Sequence, residues 1–152
     1  MLEAWRIVKA KHATTAFSGE GAARAGGRWN SRGVPMVYTS ATISLAALET
    51  LVHLNPPPHF KYAVIRIKFE EALVQSVPAA ALPRDWQVEP PPRSSKAVGD
   101  NWVREGNTAV LAVPSAIISS EINYLLNPAH ADFKKISLSK PLPFAFDPRL
   151  TA

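Results

Sequence analysis

Apolar residues along this chain fall into short alternating runs, one helical run and several uninterrupted runs, each closed by glycine, proline or serine. Val34 to Thr39 combines β-branched and aromatic residues behind Gly33 and Pro35 and ahead of Ser40, which predicts a short strand with Tyr38 near its end. The period then changes. Leu45, Leu48, Leu51 and Val52 recur at helical spacing after Ser40 or Thr42, either of which can cap a helix, and Pro56, Pro57 and Pro58 forbid its continuation. Glu49 and His53, four residues apart, share one face of this helix, and Glu49 sits at the edge of the apolar stripe beside core-facing Leu48.

From Tyr62 to Phe69 the period returns to two: Ala63, Ile65, Ile67 and Phe69 alternate with Tyr62, Val64, Arg66 and Lys68, predicting a half-buried strand. Residues 79–99 are rich in proline, serine and charge and read as a surface excursion suited to a hinge or lid. Thr108 to Val113 is a nearly all-apolar strand that Pro114 ends, placing Ser115 at its C-terminal mouth. Glu121 to Leu126 predicts a turn or two of helix before Asn127-Pro128, and Ile136 to Leu138 and Phe144 to Phe146 read as closing strands. Several strands with few helices and no repeat predict an α+β fold with mixed or antiparallel sheets, in one compact domain over residues 1–152.

Composition narrows the function classes. No apolar run approaches the roughly 20 residues of a membrane-spanning helix, and Glu3, Arg6, Lys9 and Lys11 interrupt any secretory leader at the N-terminus. A cytoplasmic protein is expected, and the absence of cysteine fits one that uses no disulfides. The net charge of +5 favours anionic ligands. The basic residues are scattered, however, and no aromatic cluster lies among them, so nucleic-acid binding is not expected.

The chemistry-bearing residues are ambiguous one by one. Ser18-Gly19-Glu20-Gly21 and Gly26-Gly27-Arg28-Trp29-Asn30 with Gly33 form a glycine-rich stretch beside an arginine whose planar fork suits phosphate. Neither a phosphate-binding loop with Gly-Lys-Ser/Thr nor a dinucleotide fingerprint is present, and on local sequence alone a plain loop with glycine turns is the favoured explanation of the stretch. His12, His53, His59 and His130 show no ligand spacing, so no metal is expected. Ser115 follows a proline rather than lying in Gly-x-Ser-x-Gly, which weakens a serine hydrolase reading. Taken alone, Glu49, His53 and Ser115 each fit a structural role.

Together, the pieces resemble a known family. Gly26-Gly27-Arg28-Trp29-Asn30, Val37-Tyr38-Thr39-Ser40 and Leu45-Ala46-Ala47-Leu48-Glu49 with His53 resemble the first half of the RES domain. Gly99-Asp100, Trp102, Val113-Pro114-Ser115, Asn123 to Pro128 with His130 and Phe133, and Phe146-Asp147-Pro148-Arg149 resemble the second half. One departure is Ala131, where the family pattern leads us to expect proline. The arginine, glutamate and serine that name the family match Arg28, Glu49 and Ser115, and Tyr38 matches a tyrosine of the same site.

The resemblance implies an ADP-ribosyltransferase-like toxin fold and NAD+ as substrate rather than cofactor. Cleavage of the nicotinamide–ribose bond develops positive charge on the ribose. Glu49 would stabilise that charge, Arg28 would hold the pyrophosphate, Tyr38 would stack on or orient nicotinamide, and Ser115 would hydrogen-bond ribose or nicotinamide. Water, inorganic phosphate or a protein side chain would each serve as acceptor, the last making the protein an ADP-ribosyltransferase that modifies a host protein. The resemblance also implies a separately encoded Xre-type antitoxin that carries any DNA binding, and a homo-oligomer is compatible with that complex. A nucleic-acid-binding module and a catalytically dead interaction domain are the competing classes. The joint presence of Arg28, Tyr38, Glu49 and Ser115 argues against the second.

Overall fold

The computed structural model describes residues 1–53 and 60–151. Its strands are β1 (Leu2–Lys9), β2 (Val37–Ser40), β3 (Tyr62–Phe69), β4 (Val74–Ser76), β5 (Val110–Pro114), β6 (Ile122–Leu126), β7 (Ser137–Leu138) and β8 (Leu142–Phe144). The α-helices are α1 (Glu20–Ala25), α2 (Ile43–Leu51) and α3 (Arg93–Glu105). All eight strands join one sheet in the order β4-β5-β6-β2-β1-β3-β7, with β8 also on β3. Among the described residues only the β4–β5 pair is parallel. The fold is thus α+β with a mixed, mainly antiparallel sheet.

Register explains the two faces. Trp5 lies opposite Ser40, Ser40 opposite Asn123, and Asn123 opposite Val113, so these residues share one face. On it, α2 sets Ala46 against Ile7, Tyr62 and Val64, while Trp29, Trp86 and Trp102 pack on Leu111, Val113 and Leu125. Each such aromatic removes roughly 150–250 Å² from water, worth up to roughly 4–6 kcal/mol. The opposite face carries Ala4, Val37, Ile67, Val110, Ala112 and Leu126.

Between β1 and β2 the pairing is confined to Trp5 and Ser40, whereas β1 and β3 pair over their whole length. The sheet therefore opens beside this contact, and the cleft described below forms there.

Several elements differ from the pattern reading. Glu121 to Leu126 is not helical: Ile122–Leu126 is a strand between β5 and β2. Leu125 and Leu126 are both fully buried, so a strand covered on both faces shows no alternation. The central strand β1 went unread because it hides Ala4 and Ile7, on opposite faces, around the charged Arg6. Helix α3 begins inside the predicted excursion because its buried face is built from Ser95, Gly99 and Trp102, and two of these are too small to register as an apolar stripe.

The first part of β3 is buried on both faces, Tyr62 and Val64 included, so its half-burial holds only near Arg66 and Lys68. In α2 the fully covered residues are Leu45 and Ala46, while Leu48 is half-buried and Val52 exposed. Thr42 caps α2, its side-chain oxygen accepting from the Leu45 amide at 3.1 Å. Pro56, Pro57 and Pro58 lie outside the described residues. The closing strands are Ser137–Leu138 and Leu142–Phe144, shifted from the predicted Phe144 to Phe146.

Candidate active site

Ala46 anchors α2 on the sheet, and Glu49, three residues on, lies on the same side of the helix, directed toward β6 and the end of β5. Its Oε2 accepts a hydrogen bond from Ser115 Oγ at 2.9 Å and another from Asn123 Nδ2. Asn123 is oriented in turn: its Oδ1 accepts from Ser40 Oγ at 2.7 Å. Among the described residues Oε1 accepts no hydrogen bond. One carboxylate oxygen is fixed by two neutral donors while the other stays available.

Glu49 lines a cleft of about 910 Å³ together with Arg6, Arg28, Tyr38, His53 and Asn123. Glu49 and His53 both line the cleft, but α2 ends at Leu51, so His53 lies in the turn beyond the helix and not on the helical face expected of it. Ser115 is completely buried and does not reach the cleft wall. Expected to bond the substrate, it sits behind Glu49, where its Oγ also accepts from the amides of Ile117 (3.1 Å) and Ile118 (3.2 Å). It orients the carboxylate.

Tyr38 is committed through its hydroxyl, which donates to Asn30 Oδ1 at 2.6 Å and accepts from the Trp29 amide at 3.0 Å. Burial raises its pKa well above the ordinary tyrosine value, so it stays protonated. What remains to face a ligand is the ring.

Arg28 is similarly engaged. Its Nη1 donates to the carbonyls of Trp86 (2.9 Å) and Val88 (2.8 Å), and Nη2 pairs with Glu89 at 2.6 Å. The glycine-rich loop carrying it is clamped by α3: Ser95 Oγ donates to the Arg28 carbonyl at 2.7 Å, Lys96 Nζ to the Gly27 carbonyl at 2.8 Å, and Ser31 donates twice to Asp100. Two glycines serve this packing, Gly27 in the loop and Gly99 in α3. A Cβ at Gly27 would lie 2.5 Å from the Tyr38 hydroxyl, and one at Gly99 would lie 1.8 Å from the Trp29 carbonyl oxygen.

Arg6, Ser40 and Asn123 were missed as site residues. Arg6 fills the opening between β1 and β2, donating through Nε to the Ala16 carbonyl (2.8 Å) and through Nη1 to that of Tyr38 (2.9 Å). Burial pulls its pKa down to about 10, which leaves it charged at neutral pH. Among the described residues no carboxylate pairs with it. The available signals were an arginine inside an apolar strand and an asparagine inside Ile-Asn-Tyr-Leu-Leu. Among the described residues no three His, Asp or Glu side chains gather to hold a metal.

A mixed sheet that opens beside β1, with a held carboxylate and two guanidiniums around one cleft, defines an α+β protein whose site suits an anionic ligand. The solved structure of the Mycobacterium tuberculosis MbcT-MbcA toxin-antitoxin complex contains a chain of the same fold, with a TM-score of 0.74 at 18% identity over 94% of this chain and 84% of that one. The RES domain family model matches residues 3–147. The Prs ADP-ribosylating toxin of a Sphingobium species is 40% identical over 96% of this chain and 94% of its own length. Toxin Res of Yersinia enterocolitica is 35% identical over 96% and 97%. The chain belongs to the RES-domain family of toxins.

Proposed function

We propose that this protein breaks the nicotinamide–ribose bond of NAD+ in the cleft beneath α2, and that this consumption of NAD+ in the cytoplasm makes it toxic. The observation that carries the reading is the half-occupied carboxylate of Glu49, held at Oε2 by Ser115 and Asn123 and open at Oε1. As the glycosidic bond breaks, its electron pair leaves with neutral nicotinamide and positive charge grows on the ribose. A fixed negative charge beside that ribose stabilises the transition state more than the ground state. The Tyr38 ring offers a surface for nicotinamide. Arg6 and Arg28 supply the positive charge for the diphosphate.

The acceptor attacks the ribose carbon and gives its proton to solvent. Water or phosphate would yield ADP-ribose or its phosphate ester. Transfer to a protein side chain is the second reading, favoured by the relative named as an ADP-ribosylating toxin. An antitoxin of the Xre type, separately encoded, is the proposed neutralising partner, consistent with the toxin–antitoxin complex that shares the fold.

The test is to incubate purified protein with NAD+, with and without inorganic phosphate and with host-extract protein, and to identify products by mass. Nicotinamide release is expected, and the mass of the ADP-ribosyl product names the acceptor. No nicotinamide under any of these conditions would refute the reading.

A further inference from the structure

The two guanidiniums of the cleft are in different states. Among the described residues Arg6 meets two carbonyls and no carboxylate, whereas Arg28 meets two carbonyls and the carboxylate of Glu89. The three contacts of Arg28 are unequal. Its bonds to the Trp86 and Val88 carbonyls tie it to a strap that Trp86 anchors by stacking on Trp29, with ring centroids 5.9 Å apart and planes 26° apart. Those neutral contacts hold the arginine in place whether or not Glu89 is present. The Arg28 side chain is only 15% exposed, while that of Glu89 is 67% exposed, and both residues line the cleft. Glu89 is therefore tethered at the cleft rim by little except this ion pair, and an ion pair with one partner in water is weak enough to exchange.

We infer that Glu89 is an internal competitor of the substrate: its carboxylate covers Arg28 until one phosphate of a diphosphate ligand displaces it. This rests on the NAD+ reading above. The exchange swaps one anion for another on the same guanidinium and leaves both carbonyl bonds intact, so Arg28 need not move. Arg6 lines the same cleft with no carboxylate on it among the described residues, so on this inference a single phosphate takes its charge from Arg6 and leaves Glu89 undisturbed. A diphosphate has a second charge to place, and only then is Glu89 displaced. Glu89 is thus a specificity-determining residue that sets how tightly diphosphates bind relative to monophosphates.

The experiment compares wild-type protein with Glu89→Gln and Glu89→Ala. Steady-state NAD+ cleavage gives KM and kcat, calorimetry gives binding of inorganic pyrophosphate and orthophosphate, and thermal melting checks the fold. The expected result is a KM roughly two- to fivefold lower with kcat unchanged, the range by which such an ion pair biases an equilibrium. Pyrophosphate affinity should rise by a similar factor and orthophosphate affinity should not change. An unchanged or raised KM overturns the inference. So does weaker pyrophosphate binding with a fall in melting temperature, which would make Glu89 a structural clamp on the strap. If wild-type protein releases no nicotinamide, the substrate reading fails and pyrophosphate binding alone still decides the role of Glu89.

Discussion

Ser115 donates its hydroxyl hydrogen to Oε2 of Glu49 across 2.9 Å, tying helix α2 to the end of strand β5. Because Ser115 is buried and Glu49 lines the cleft, the serine acts through the glutamate. Glu49→Gln keeps the shape, and its amide oxygen can still accept from Ser115 and Asn123, but it removes the charge and puts an NH2 in the place of Oε1. Loss on the order of 3 kcal/mol in transition-state stabilisation is expected, a rate fall of roughly a hundredfold or more, with the fold retained. Ser115→Ala should cost roughly tenfold in kcat with little change in KM, since Asn123 still holds the carboxylate. Single-turnover nicotinamide release measures both. A Glu49→Gln protein that is folded and active would remove Glu49 from the mechanism.

Gly99 and Gly21 form a matched pair of controls. Gly99 packs on the Trp29 backbone, which cannot retreat because Trp29 is buried against Trp86, so Gly99→Ala should cost roughly 3 kcal/mol or more and detach the loop bearing Arg28. Gly21 lies within α1, and a Cβ there meets nothing within 4 Å. Gly21→Ala should stabilise by roughly 0.5–1 kcal/mol. Denaturant unfolding of both variants decides, and equal effects would refute the packing account.

These two glycines also mark how much could be read from sequence. Helix α2 and strand β3 were legible by their apolar period, and β2 and β5 as short apolar runs bounded by turn residues. The place of Glu49 at the edge of the α2 stripe was legible too, but by itself it fitted a structural role, and family resemblance alone marked it as a candidate site residue. The dependence of Glu49 on Asn123 and Ser40 was not legible, because it joins residues 74 positions apart through sheet register. The glycine-rich stretch invited a ligand-cradling reading, and Gly19, Gly21, Gly26 and Gly27 do line the cleft; that Gly27 is also packed against Tyr38 could not be read from the sequence.

Arg28→Lys tests the dual engagement of that arginine. Lysine keeps the charge but has no planar fork to serve two carbonyls and an anion together. NAD+ affinity should fall, and unlike a purely ligand-binding residue Arg28 should also lose roughly 1–2 kcal/mol of stability as the 86–89 strap loosens. Calorimetry with NAD+ and thermal melting are read together. Unchanged binding with lowered stability would leave Arg28 a structural residue.

Alkaline pH gives a test of the Tyr38 anchor. Burial raises the pKa of Tyr38 and Tyr124 above the ordinary 10, with Glu71 adding to the shift at Tyr124, and Tyr62 moves the same way. In the unfolded chain these hydroxyls ionise near pH 10 while the folded protein keeps its protons, so the native state binds more protons and loses stability as pH rises above 10. Arg6 opposes this. Its folded pKa is about 10 against 12.5 unfolded, so over that interval the unfolded chain holds the extra proton and stability rises with pH. Three tyrosines against one arginine predict a net decline. Tyr38→Phe leaves Asn30 Oδ1 and the Trp29 amide without their partner, which should cost roughly 1–3 kcal/mol at neutral pH. It also removes one of the ionising groups. The variant should therefore melt lower than wild type at about pH 8, and the gap should narrow as pH rises past about 10. Melting curves collected across that range decide the matter, and a gap that stays constant would show that the Tyr38 hydroxyl ionises as freely in the folded protein as in the unfolded chain.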